Sequence, residues 1–286
     1  MISTARRRDA RDVFLHVLTS FVRKSAPSAF LEISSSRRKT FQAESAFSGL
    51  KPKVVYHFFF LSSMLSKKFH KNNNSIIIPA NETREVVDII TDDSGKHTPI
   101  LAIRAEKGAR VTYIFAVFGD GEITKEVILE LEEGAEGRIV GVVVGSGKAH
   151  FTLKTTLLHS APHTKGDIKI KMVLKDTAYV SYDGLIKIDK SAQQTNSYLD
   201  ARVLILDRGA KCDGKPELEI EADDVKASHA FSSGKIDSEQ LFYLCSRGLT
   251  EAEAKQMIVK GFLMEAAEGL SHEAQECIKR EIVIAL

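Results

Sequence analysis

The sequence has no tryptophan, only three cysteines and only six prolines among 286 residues. Cys212, Cys245 and Cys277 show no CxxC spacing. So sparse and odd a set builds neither a disulfide framework nor a four-thiolate metal site within one chain, and it fits a reducing compartment. Few prolines and 18 glycines exclude a collagen-like or proline-rich fibre. No apolar run reaches the roughly 18 residues of a membrane-spanning helix. The nearest, VVYHFFFLSSM at 54–64, is short and contains His57. Signatures for a phosphate-binding glycine loop, a nucleophile elbow and HExxH are also missing. With 43% hydrophobic and 27% charged residues, the chain is not disordered throughout.

A net charge of +2 conceals two unlike halves. Residues 1–75 carry 14 Lys+Arg against 4 Asp+Glu, and the remainder carries 26 against 34. An acidic main body argues against nucleic acid as a partner, because phosphate contacts need a basic face. Residues 1–63 read as a basic leader, poorly ordered or not part of the mature protein. Their Arg- and Ser-rich, acid-poor start resembles an organellar transit peptide. A secretory signal fits less well, since VFLHVLTSFV (13–22) is interrupted by His16, and a start at Met64 is the preferred reading.

Residues 64–233 read as a β-core. Val127, Leu129 and Leu131 alternate with Glu126, Ile128 and Glu130. Ile168, Ile170, Met172 and Leu174 alternate mainly with lysines, and Leu218, Ile220 and Ala222 alternate with glutamates. Period two buries one face of a strand and wets the other. No helical stripe interrupts residues 100–230, which excludes repeated βαβ units. Between strands a corner recurs that ends in alanine: EKGA (106–109), EEGA (132–135), KDTA (175–178), DKSA (189–192) and DRGA (207–210). Such corners suit tightly stacked coils and favour a β-helix over a sandwich, although the alanine spacings of 26, 43, 14 and 18 are uneven.

Residues 234–286 read as helical. Asp237 with Gln240 and Thr250 with Glu253 have capping-box spacing. Arg247-Gly248 reads as a stop. Ala254, Met257, Ile258 and Phe262 form an apolar face. Gly269 breaks that helix, and Ser271 caps a third running to about Ala285. These helices have no second layer of their own, so their apolar faces must dock on the β-core or on another protein.

Few residues offer chemistry. His159 and His163 have i,i+4 spacing, but Pro162 between them opposes a helix and hence a shared metal. Asp223-Asp224 reads as a turn cap rather than a cation site. His229, where the β-pattern gives way to helix, is the candidate metal ligand, since a neutral imidazole binds iron or zinc.

Three strings carry a family resemblance: YDGLIKIDKSAQQTNSY (182–198), LILDRGAKCDGKPELEIEADDVKASH (204–229) and GKIDSEQLFYLCSRGLTEAEAKQMIVKGFL (234–263). In type and order they resemble the SufB/SufD family, the core proteins of Suf-type iron–sulfur cluster assembly. Residues 76–174 are compatible but carry no sharp motif, and residues 1–63 do not resemble the family. The resemblance implies a right-handed parallel β-helix with a C-terminal α-helical segment. It implies a non-enzymatic scaffold subunit that pairs with a SufB-like subunit or with itself. It further implies that a SufC-type ATPase docks on the C-terminal helices and drives exposure of the subunit interface. Leu241, Phe242, Tyr243, Arg247, Met257, Ile258 and Phe262 are the implied docking residues.

SufB-like members carry a cysteine 28 residues before the histidine and glutamates on both sides of it. Here those positions are Ala201, Ser228 and Ala230. Cluster iron prefers thiolate, so no cofactor stably bound by this chain alone is expected, only transient iron or an iron–sulfur cluster in the complex. The pattern ASHAFSSGKID (227–237) is SufD-like, with His229 as the interface histidine. Neither nucleic acid nor membrane is expected as a partner. The expected location is cytoplasmic, or organellar if residues 1–53 are a transit peptide. The competing classes are a β-helical carbohydrate-active or adhesin-like protein and a metal-free structural adaptor. Zero tryptophan leaves the carbohydrate reading without an aromatic platform.

Overall fold

The alternation translates directly into strands. In the segment Glu122–Leu131 every second residue from Ile123 to Leu131 is buried, including Val127 and Leu129. The computed structural model describes residues 75–91 and 100–286, together with the strand Lys53–His57. Apart from that strand, the leader read over residues 1–63 lies outside the described residues.

Two sheets form. One holds β1 (Lys53–His57), β3 (Thr83–Thr91), β5 (Arg110–Gly119), β7 (Glu136–Gly145), β9 (Lys165–Leu174), β11 (Thr195–Ile205) and β13 (Val225–Gly234). The other holds β2 (Ser75–Ile78), β4 (Leu101–Ala105), β6 (Glu122–Leu131), β8 (His150–His159), β10 (Tyr179–Ile188) and β12 (Lys211–Ile220). Successive strands alternate between the odd and even sheets, and each pairs in parallel with the strand two along the chain. The fold is therefore a parallel β-helix. A sandwich would contain antiparallel hairpin pairs, and none occurs among the described residues. Inward side chains of both sheets, such as Phe115, Leu129, Phe151, Ile170 and Ile186, make one continuous core. Each fully buried aliphatic or aromatic side chain contributes about 1.5–3 kcal/mol.

The corners explain the uneven alanine spacing, because they lie in two columns. Ala109, Ala135 and Ala192 turn the chain from the even to the odd sheet, and Ala149, Ala178 and Ala210 turn it back. Each alanine N–H closes its own turn, as Ala109 does onto Glu106 O at 2.9 Å and Ala178 onto Lys175 O at 3.1 Å. All six are buried. In the first column a residue with positive φ recurs: Asn81, Gly108, Gly134, His163 and Gln194, at 59° to 68°. Each donates its N–H to the next corner: Asn81 to Lys107 O, Gly108 to Glu133 O, Gly134 to Pro162 O, His163 to Gln193 O and Gln194 to Asp224 O. The left-handed backbone turns that N–H along the stack axis, where Gly and Asn are least strained.

The C-terminal part folds as α1 (Ser238–Ser246), α2 (Glu251–Met264), a 3₁₀ turn (Glu265–Ala267) and α3 (His272–Ala285). Thr250 and Glu253 make a complete capping box, and Ser271 caps α3 through Ala274 N. Asp237 caps α1 through Glu239 N rather than through Gln240. Gly248 and Gly269 take positive φ at the breaks. Val259 and Leu263 of α2 and Ile278 and Ile282 of α3 pack on the outer face of the odd sheet, against Ile114, Val140, Val142 and Val144.

Charges at the helix ends fix this cap in place. Lys169 Nζ donates to Glu265 O at 2.7 Å, Lys171 Nζ lies 3.0 Å from Glu265 Oε2, and Lys175 Nζ donates to Ala285 O at 2.9 Å. At the opposite pole, the Glu85 carboxylate accepts from the N–H and hydroxyl of Ser271. Cations therefore sit at helix C-termini and an anion at an N-terminus, as the helix dipole favours.

Candidate functional site

The last turn of the solenoid has no strand beyond it among the described residues. β12 and β13 are the final strands of their sheets. Lys211 N and Glu221 N bond back to Ala178 O and Ile188 O. Backbone polarity alternates along a strand, so the even-numbered residues from Cys212 to Ile220 direct their backbone groups to the free edge. Pro216 is among them and removes one donor there. On β13 the same logic turns Val225, Ala227, His229, Phe231 and Ser233 outward along the edge. Side chains at this end are only partly covered: Cys212, Leu218, Val225, Ala227 and Phe231 pack on the core but stay half-buried.

His229 stands in this end turn. It is exposed, and its register partner on β11 is the buried Leu199. Ala201, at the position of the SufB-type cysteine, is fully buried and pairs with Phe231. The Phe231 ring crosses the core to Gly214, where an added Cβ would lie 2.0 Å from a ring carbon, so only glycine fits. Among the described residues no three of His, Cys, Asp or Glu gather around a point that could hold a metal ion. Burial, with Asp213 adding to it, pushes the Cys212 thiol up to about 12, which disfavours the thiolate that binds metal.

The second region is the outer surface of the helices. No residue of α1 is buried. Phe242 is 75% exposed, Tyr243 55% and Met257 52%. Arg247 is exposed and stacks its guanidinium over the Tyr243 ring at 5.2 Å. Leu241 and Ile258 are half-buried. Phe262 turns the other way: it packs with the cap core, and its ring lies 4.9 Å from Lys171 Nζ. The structure thus brings Phe242, Tyr243, Arg247 and Met257 to the surface and places Phe262 largely in the seam with the odd sheet. An open groove beside them is lined by Leu249, Met257, Val283 and Leu286, with Glu253 and Lys260 among its polar residues. Val283 and Ile284 are 56% and 73% exposed, a contribution from α3 that the sequence reading did not single out. Their apolar positions on the solvent side of the helix were the available signal.

The remaining chemistry-bearing residues are structural. His159 is fully buried, with Nδ1 2.7 Å from Thr164 Oγ1 and Nε2 3.1 Å from Ser197 Oγ. Ser197 also donates to Gly166 O at 2.8 Å and Thr164 also meets Thr195 Oγ1 at 2.9 Å, so both ring nitrogens are tied into a buried hydroxyl network. Burial lowers the imidazole to about 4. His163 sits apart at a corner. Asp224 accepts at its carbonyl and donates its N–H to Gln193 Oε1, as a turn residue does. Inside the first turns, Lys125 Nζ lies 2.6 Å from Asp88 Oδ2, which also accepts from Tyr113 Oη at 2.9 Å. Burial, then the charge of Asp88, raises the Tyr113 phenol well above its ordinary range.

These features define a class first: a parallel β-solenoid with a helical cap on one flank and an open last turn, and with no enclosed catalytic constellation among the described residues. The model of the family described as SUF system FeS cluster assembly, SufBD core domain, matches residues 52–262, and the chain belongs to that family. The match begins just before β1, within the segment read as leader. The chain is 32% identical over 207 residues to the iron–sulfur cluster assembly protein SufD of Bacillus subtilis, covering 71% of this chain and 46% of that protein. It is 41% identical over 103 residues to SufD of Escherichia coli, 36% of this chain and 24% of that one. Against B. subtilis SufB the match is 34% over 131 residues, 46% of this chain and 28% of that one. Similarity to the Bacillus SufD thus runs further than similarity to its SufB, in line with the SufD-like reading. The chain spans about half the length or less of these curated relatives.

Proposed function

We propose that this chain is a non-enzymatic scaffold subunit of Suf-type iron–sulfur cluster assembly. It pairs through the free edges of β12 and β13 with a SufB-like subunit or with a second copy of itself. His229 lies at that junction as a ligand for transient iron or a nascent cluster. The observation that carries the reading is the open last turn, with an exposed imidazole on its edge strand and no cluster of metal-ligating side chains around it among the described residues. An isolated histidine holds iron poorly, and a second chain across the edge is where the missing thiolate or carboxylate donors would come from. The exposed Phe242, Tyr243, Arg247 and Met257 serve as the docking surface for a SufC-type ATPase, since an apolar helix face of this kind suits helix-in-groove recognition. A cytoplasmic location fits the free cysteines. No helix among the described residues is long and apolar enough to cross a membrane.

Co-expression with a SufB-like subunit and a SufC-type ATPase tests both halves. His229→Ala is expected to lower iron and sulfide in the purified complex at least several-fold while leaving the subunits together. Phe242→Glu with Met257→Glu is expected to abolish ATPase co-purification and leave the β-helix intact by circular dichroism. Retained ATPase binding would refute the docking surface. Unchanged iron content would remove His229 from the mechanism and favour the metal-free adaptor.

A further inference from the structure

We propose that the Phe231 ring is a plug: it seals the interior of the solenoid at the open last turn and restricts a metal bound at His229 to donors from outside this chain. The metal half rests on the reading of His229 above, and the seal stands without it.

The packing of two successive layers carries the seal. Gly214 on β12 is the register partner of Tyr182 on β10, and Phe231 on β13 is the partner of Ala201 on β11. In the lower layer the large side chain comes from the even sheet and the small one from the odd sheet. Tyr182 and Ala201 are both fully buried. In the end layer the sizes are exchanged. The Phe231 ring reaches across to Gly214, where a Cβ would lie 2.0, 2.1 and 2.5 Å from three of its carbons. Large and small side chains that alternate on facing positions fill one volume without a void. Ala201 sits directly beneath the ring and has no exposure, although only β13 lies beyond it in the odd sheet.

His229 lies on the same face of β13 as Phe231, two residues earlier, yet it is exposed. Beneath it stands Leu199, fully buried, which crosses the core so that a Cβ at Gly184 would lie 2.7 Å from its Cδ1. The polar groups of the layer below are engaged: Tyr182 Oη with Thr155 Oγ1 at 2.9 Å, and Ser197 Oγ with Gly166 O at 2.8 Å. Leu199 and Phe231 make an apolar floor between these donors and the imidazole. From this chain, a metal at His229 receives one nitrogen and nothing from beneath. The ring is therefore a specificity-determining element: it keeps the buried oxygens dry and leaves the choice of the other ligands to whatever lies across the open end.

A reporter thiol placed directly beneath the ring tests the seal. A201C is made in the full chain with Cys212, Cys245 and Cys277 changed to serine. Its reaction with dithionitrobenzoate is expected to be slow in the folded protein, and at least tenfold faster when F231A removes the ring or G214A unseats it, since thiol reactivity follows access. F231L should keep the protection, because it still fills the space. Far-UV circular dichroism and urea unfolding check that the variants fold. A thiol that reacts at one rate with and without Phe231, fast or slow, overturns the seal. The same variants read the metal half. Residues 201 and 229 lie on adjacent strands two residues out of register, about 8 Å apart from a strand spacing of ~4.8 Å and a rise of ~3.3 Å per residue, within reach of one ion. Cobalt(II) is expected to give thiolate-to-metal absorption with A201C/F231A and none with A201C alone. Absorption with A201C alone means that a metal at the rim reaches past the ring, and it overturns the restriction. A reactive thiol without absorption in A201C/F231A overturns it too, because distance and not the ring then keeps interior donors away. Absorption that survives the addition of H229A removes His229 as a ligand and overturns the reading above, while the seal stands.

Discussion

The odd and even sheets obey one rule inward and opposite rules outward. Both send every second side chain into a shared core. Outside, the even sheet carries a charge ladder in which Glu126, Lys154, Asp183 and Lys215 follow one another in register. The odd sheet carries Ile114, Val140, Val142 and Val173 at its outer positions, and α2 and α3 cover them. The inward pattern builds the solenoid. The outward pattern decides what lies against it. Water meets the even sheet, the cap meets most of the odd sheet, and the helix face beyond the cap stays exposed.

The largest effect expected from breaking this arrangement lies where the two sheets join. Asp88 belongs to the odd sheet and Lys125 to the even one, and the side chains are only 9% and 5% exposed. Asp88→Ala leaves a buried ammonium without its counter-charge, which costs about 3–5 kcal/mol. Urea unfolding measures it. The paired change to Asp88→Ala with Lys125→Met should recover much of the loss, because two apolar groups leave no orphaned charge. A single substitution costing under about 1 kcal/mol would mean that the interior admits water at this level.

Next in size is a pH effect from His159, which bridges β8 of the even sheet to Ser197 of the odd one. Its ordinary value of 6.5 falls to about 4 in the fold because burial disfavours the imidazolium. The unfolded chain therefore binds the proton more readily than the folded chain. The stability contribution is complete above about pH 6.5 and is lost as pH falls toward 4, a swing of about 3 kcal/mol. Urea midpoints between pH 7.5 and 4 should show it. His159→Asn should flatten this part of the profile, and an unaltered slope would place the proton uptake elsewhere.

The same contrast decides what could be read from the sequence. β6, β10 and β12 face water on one side, so their alternation is plain. β5 and β7 are buried on both faces, and TYIFAV and IVGVVV show an unbroken apolar run with no period to count. The corner alanines were visible, but their two columns were not, since spacing along the chain mixes them. Caps at Thr250 and Ser271 depend on adjacent residues and were legible. Which side of α2 docks was not: Met257 and Val259 are equally apolar, and only the position of the odd sheet makes Val259 buried and Met257 exposed. His229 came from the family resemblance. Its exposed place on the final strand came only with the register of β11 and β13.

A smaller pair of effects sharpens the comparison between the outer faces. Lys171 projects from the odd sheet and is fully buried beneath the cap, held by Glu265 and by the Phe262 ring. Burial alone would push the Glu265 carboxyl up, but the hydrogen bond and charge of Lys171, with Lys169 and Arg202, hold it below the usual range. Glu265→Ala strands the Lys171 ammonium. Because the Glu265 side chain is 39% exposed, solvent moderates the loss to about 2 kcal/mol. On the even sheet Lys187 and Glu219 form an ion pair of similar length, 3.2 Å, with both side chains in water. Glu219→Ala should leave the urea midpoint unchanged within error, because exposed pairs gain little over their hydration. If the two substitutions cost the same, the cap is not seated on the odd sheet, and the division of the molecule into a wet face and a covered face fails with it.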